Sequence, residues 1–68
     1  MTWIIHRGNR KNIVNANDFH EIQLIEDEII LLKTDDTRCL SYDNAAEAAQ
    51  AFGYLMEAIK RGERLVNL

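Results

Sequence analysis

Apolar and polar positions alternate in short runs over the first forty or so residues, roughly at the period of a pleated strand, and then switch to a helical spacing. Thr2 to Arg7 is rich in aromatic and β-branched residues and predicts a first strand. Gly8-Asn9-Arg10-Lys11-Asn12 follows as a hairpin turn, because Gly and Asn accept a positive φ at little steric cost. A short second strand over Asn12 to Asn15 leads into the polar corner Ala16-Asn17-Asp18. Phe19 to Glu26 predicts a third strand, with Ile22 and Leu24 on one face and Gln23 and Ile25 on the other. Beyond the acidic turn Glu26-Asp27-Glu28, Ile29 to Lys33 is expected as the central strand, since its four leading side chains are apolar on both faces. Thr34-Asp35-Asp36 turns the chain into a fifth strand, Thr37 to Tyr42, where Arg38, Leu40 and Tyr42 alternate with Cys39 and Ser41.

The helix has the sharpest signature. Asn44 suits an N-cap, and Glu47 three residues on completes a capping box. Ala45, Ala48, Ala49, Phe52, Leu55, Met56 and Ile59 form one apolar stripe at helical spacing. Lys60 and Arg61 occupy the last turn, where cations complement the dipole, and Gly62 is placed as the residue that ends it. Glu57 is positioned to pair with Arg61. Gly53 breaks the pattern, and either a close backbone approach or simple tolerance would explain it. Tyr54, flanked on the helix by Ala51 and Ala58, is expected on the outer face as a contact position. Leu65, Val66 and Leu68 in the tail point to packing, with a short strand as one form of it.

Together these elements predict an α+β fold in one domain, residues 1–68: a small antiparallel meander of about four to five strands followed by one C-terminal amphipathic helix packed on one face. A single helix covers one face of such a sheet. The apolar second face then needs cover from curling of the sheet, from the tail, or from another chain. A chain of 68 residues buries only about 60% of the surface its unfolded form exposes. Another copy in a two-fold dimer is therefore the preferred cover, with Ile4, Ile25, Ile30 and Leu32 as interface positions.

Composition narrows the chemistry. The hydrophobic fraction of 47% is that of a globular domain. The lone Cys39 excludes an intrachain disulfide, and Met1-Thr2-Trp3-Ile4-Ile5 runs straight into charged and polar residues, unlike a secretory leader. A reducing cytoplasm is the expected compartment, and no apolar run is long enough to span a bilayer. His6, His20 and Cys39 are too widely spaced for a metal-ligand pair, so neither metal nor cofactor is expected. No nucleophile elbow, HExxH or glycine-rich phosphate loop is present, and no catalytic residues are assigned.

Charge is unevenly distributed. Met1 to Asn12 carries Arg7, Arg10 and Lys11 and no acid. Ile13 to Glu47 carries nine acids against Lys33 and Arg38, and the net charge of the chain is −3. That balance argues against a duplex-DNA binder. The leading functional expectation is a non-catalytic interaction module, a homo-oligomer that binds or inhibits another macromolecule. The alternative is a binder of a phosphorylated small molecule or nucleotide, or of RNA. It would use Arg7, Arg10 and Lys11 of the first hairpin and Lys60, Arg61 and Arg64 of the helix end, if the fold brings them together.

Overall fold

The computed structural model describes residues 2–7 and 11–68, and of Arg7, Lys11 and Asn12 the backbone alone. The chain order is β1 (Trp3–Arg7), β2 (Lys11–Asn15), a 3-10 turn (Ala16–Asp18), β3 (Glu21–Ile25), β4 (Glu28–Lys33), β5 (Asp36–Ser41), α1 (Ala45–Arg61) and β6 (Leu65–Asn67). This is a mixed α+β fold with the helix packed on the strands, as the sequence predicts. The strands divide, however, into two three-stranded sheets rather than one meander. The first has the order β2-β1-β6 and the second β3-β4-β5.

The second sheet is the expected meander. Ile25 pairs with Glu28 and Lys33 with Asp36, so each connection is a two-residue turn and Glu28 and Asp36 belong to strands. Glu26 adopts φ 52° in the first of these turns, the left-handed region that glycine favours. In the first sheet β1 pairs antiparallel with β2, and the tail returns as β6 to pair parallel with β1, Trp3 opposite Leu65 and Ile4 opposite Val66. A parallel neighbour needs a crossover connection, and α1 lies within it.

Why the sheets separate can be read at the corner. Asn15 Oδ1 accepts the amide of Asn17 at 3.0 Å, closing the 3-10 turn. Thr2 donates its amide to Asn17 Oδ1 at 2.9 Å, and its carbonyl accepts the amide of Ala16 at 2.8 Å. The backbone groups after β2 are therefore satisfied by the N-terminal segment, and the chain leaves the first sheet before β3 begins.

The core lies between the inner faces. Ile4 brings Val14 and Val66 beside it from the neighbouring strands, and Ile29, Leu31 and Leu40 face it from the second sheet, with Ala51 and Leu55 from the helix. Ile22, Phe19, Phe52, Met56, Tyr42 and Leu68 close its margins, half-buried.

The helix begins at its predicted cap: Asn44 Oδ1 accepts the amide of Glu47 at 2.8 Å. It ends at Gly62, φ 70°, whose amide bonds the carbonyl of Ile59 while Glu63 bonds that of Ala58 at 2.9 Å. This is the Schellman pattern, and it turns the chain toward β6. Glu57 and Arg61 pair at 3.5 Å on the solvent side.

The buried face of the helix differs from the predicted stripe. Ala48, Ala51, Leu55 and Ala58 are buried, Phe52 and Met56 half-buried, and Ala45, Ala49 and Ile59 exposed, Ile59 at 38%. At about 100° per residue the centre of the buried face is rotated by about 80° from that of the stripe, toward Ala51 and Ala58. Ala51 and Leu55 on that face pack in one cluster with Ile29 and Leu31 of β4, while Ala48 and Ala58 are buried outside that cluster. The larger Phe52, Met56 and Ile59 then lie along the flank, where the stripe's hydrophobicity alone would have centred them. Tyr54 is exposed as expected, but Ala51 and Ala58 are not part of its surface. Gly53 faces open space, so it marks tolerance and not a close approach.

Candidate interaction surface

Strand alternation places half of each sheet's side chains away from the core. In the first sheet the outward positions are Trp3 opposite Asn15 and Leu65, and Ile5 opposite Ile13 and Asn67. Four of these six residues are apolar and large. Trp3 is 41% exposed, Ile13 54% and Leu65 52%, while Ile5 in the centre is half-buried by its neighbours. The result is a continuous apolar face with asparagines at two of its margins.

In the second sheet the outward set is mixed. Ile30 stands between Gln23 and Cys39, Leu32 between Glu21 and Thr37, and Ile25 beside Glu28. Ile30 and Leu32 are half-buried and Ile25 is exposed, and the flanking strands set polar residues or Cys39 on both sides of Ile30 and Leu32. This face is the less apolar of the two.

Among the predicted interface positions, Ile25, Ile30 and Leu32 thus keep an outward orientation. Ile4 does not: it has no exposed surface and is part of the chain's own core. The reasoning that one helix cannot cover two faces assumed a single sheet. With two sheets, each turns one face inward, and Ile4 packs against the opposite sheet. Trp3, Ile5, Ile13 and Leu65 take its place on the outer surface. Their signal was present in the run Trp3-Ile4-Ile5, apolar on both faces, and in Ile13 at the matching parity of the next strand.

The backbone carries the cations of the two chain ends at opposite ends of β1, and the side chains of Arg7 and Lys11 lie outside the described residues. Arg64 lies at the start of β1, its carbonyl accepting the amide of Trp3 at 2.9 Å, and Lys60 and Arg61 are exposed in the last turn just before it. Arg7 pairs with Lys11 at the other end of β1. Four residues of strand separate the two ends, about 13 Å. Arg10 lies outside the described residues.

Two polar groups in the interior lack a partner. His6 is 5% exposed, and neither its Nδ1 nor the Tyr42 hydroxyl, also buried, bonds another group among the described residues. Their rings meet edge to face at 5.1 Å. Burial pushes the Tyr42 hydroxyl above its ordinary pKa. His20 and Cys39 are exposed elsewhere, and among the described residues no three His, Cys, Asp or Glu side chains are grouped to hold a metal. An open groove of about 390 Å³ runs between the 3-10 turn and the helix flank, lined by Phe19, Ile22, Met56 and Ile59 among others. No helix among the described residues is long and apolar enough to cross a membrane. Comparison of the chain with models of protein families, with curated proteins and with solved structures finds no match in any of the three.

Proposed function

We propose that this chain is a non-catalytic interaction module that self-associates, most simply as a two-fold dimer, and engages a macromolecular partner. The observation that carries this reading is the outward row of the first sheet, Trp3 with Leu65 and Ile5 with Ile13. Each of these side chains is worth about 1.5–3 kcal/mol when fully removed from water. A row of such residues in cross-strand register is the kind of patch that soluble chains cover. A second copy presents the same row, and a two-fold axis makes it self-complementary. The polar margins, Asn15 and Asn67, supply the rim that such interfaces carry.

Sedimentation equilibrium at micromolar concentration tests the reading. A dimer mass is expected for the parent chain and a monomer mass for Ile13→Asp, with circular dichroism unchanged. A parent chain that stays monomeric would remove self-association. The phosphate-ligand alternative called for one convergent basic patch, and the placement of Arg64 and Lys11 at opposite ends of β1 gives it no support.

A further inference from the structure

Where β2 and the 3-10 turn pass the turn end of β4 and β5, a cleft of about 170 Å³ opens between the sheets. Trp3, Ile13 and Phe19 line it together with Asp18, Lys33 and Arg38. Its charged groups are unequally engaged. Asp36, also at the cleft, accepts the Thr37 amide at 2.9 Å through Oδ1 and Arg38 Nε at 3.2 Å through Oδ2. That leaves the terminal amino groups of Arg38 without a hydrogen bond among the described residues. The Lys33 ammonium lies 5.6 Å from the centroid of the Phe19 ring and makes no ion pair among the described residues. Lys33 and Arg38 are also the only two cations in the stretch from Ile13 to Glu47, which carries nine acids. The fold places both of them at one opening, beside aromatic surface.

We infer that this cleft binds a small amphiphilic carboxylate. Its head lies between Lys33 and Arg38, whose remaining donors form charge-assisted hydrogen bonds. Its apolar body lies against Trp3, Ile13 and Phe19. The volume equals roughly five or six water molecules, below the usual range for drug-sized ligands, and suits an occupant about the size of an amino acid. Asp18 at the rim disfavours a second carboxylate on the same molecule, because like charges repel.

Trp3 is the only tryptophan, so its fluorescence reports on the cleft directly. The full chain is titrated with 3-phenylpropionate, with phenethylamine and with acetate. A saturable change at millimolar concentration is expected for 3-phenylpropionate and for neither of the others. Lys33→Gln and Arg38→Gln should each raise its Kd by about tenfold, the loss of one charge-assisted contact. Both positions carry solvent-accessible side chains, and a melting curve confirms that each variant is folded; should one fail to fold, the other decides. An absent response to 3-phenylpropionate, an equal response to phenethylamine or acetate, or unchanged affinity in the folded variants would overturn the inference. Trp3 and Ile13 belong both to this cleft and to the proposed dimer face, so sedimentation is repeated with 3-phenylpropionate present: a chain that pairs but ignores the carboxylate loses the cleft alone, and a monomer that binds it loses the dimer alone.

Discussion

The hydroxyl of Thr2 donates to the carbonyl of Glu63 over 2.7 Å, joining residues sixty-one positions apart in the chain. Thr2 is buried, and its amide and carbonyl are engaged with Asn17 and Ala16. One residue thus ties the start of β1 to the corner after β2 and to the turn that ends the helix. Glu63 is also the residue whose amide closes the Schellman motif, so the hydroxyl holds the strand return in place as well as the chain end.

Thr2→Val keeps the shape of the side chain and removes the donor. It should destabilise the domain by about 1–3 kcal/mol, because the Glu63 carbonyl loses its partner. Thr2→Ser should retain most of the stability. Urea unfolding of the three chains checks the order, and a Thr2→Val variant as stable as the parent would contradict it.

The rotated helix face makes a prediction that separates it from the hydrophobic stripe. Leu55→Ala should cost about 2–5 kcal/mol, since Leu55 is fully enclosed. Ile59→Ala, on the exposed flank, should cost well under half of that. Ala58→Leu should be destabilising by about 1–3 kcal/mol through overpacking, although Ala58 lies outside the stripe. Equal costs at Leu55 and Ile59 would return the helix to the register that hydrophobicity suggests.

Backbone conformation supplies three contrasting substitutions. Gly53→Ala meets no atom within 4 Å and should stabilise by about 0.5–1 kcal/mol. Gly62→Ala should destabilise by about 1 kcal/mol, because φ 70° opposes a Cβ although space is open. Glu26→Gly, at φ 52°, should stabilise the β3–β4 turn by a similar amount. Thermal melts of the three variants decide the signs.

Tyr42 carries the alkaline limit. Burial raises the pKa of its hydroxyl above the ordinary value near 10, so the unfolded chain ionises first. The folded state then holds more protons than the unfolded one, and stability falls as pH rises. The contribution is fully present below the ordinary value and is lost as pH climbs through the raised one. Tyr42→Phe should flatten that alkaline loss. At neutral pH it should be neutral or stabilising by about 1 kcal/mol, since the hydroxyl it removes has no partner among the described residues. Unfolding free energies measured from pH 7 to 11 check both statements.

Local interactions made a large part of this fold legible in the sequence. The caps at Asn44 and Gly62 act within one helical turn, and both stand where the residues place them. The turns at Glu26 and Thr34 are two residues long, and they set the β3–β4–β5 register that the alternation suggests. The tail's apolar residues pointed to packing, and Leu65 to Asn67 forms a strand. Contacts between distant segments decided the rest. The division into two sheets depends on Thr2 meeting Asn17 and Glu63, pairs that no periodicity reports. The helix face depends on how the small Ala51 fits beside Ile29 and Leu31 of β4, a matter of fit and not of hydrophobic content. Ile4 changed from an expected interface residue to a core residue because the opposite sheet, and not another chain, lies over it. Because β6 runs parallel to β1, the backbone of Arg64 lies beside Trp3, at the opposite end of β1 from the backbone of Lys11. Lys33 and Arg38 line one cleft with Trp3 because the two sheets pack together: local pattern marks out the strands and the helix, while packing between distant segments sets which of their side chains share a surface.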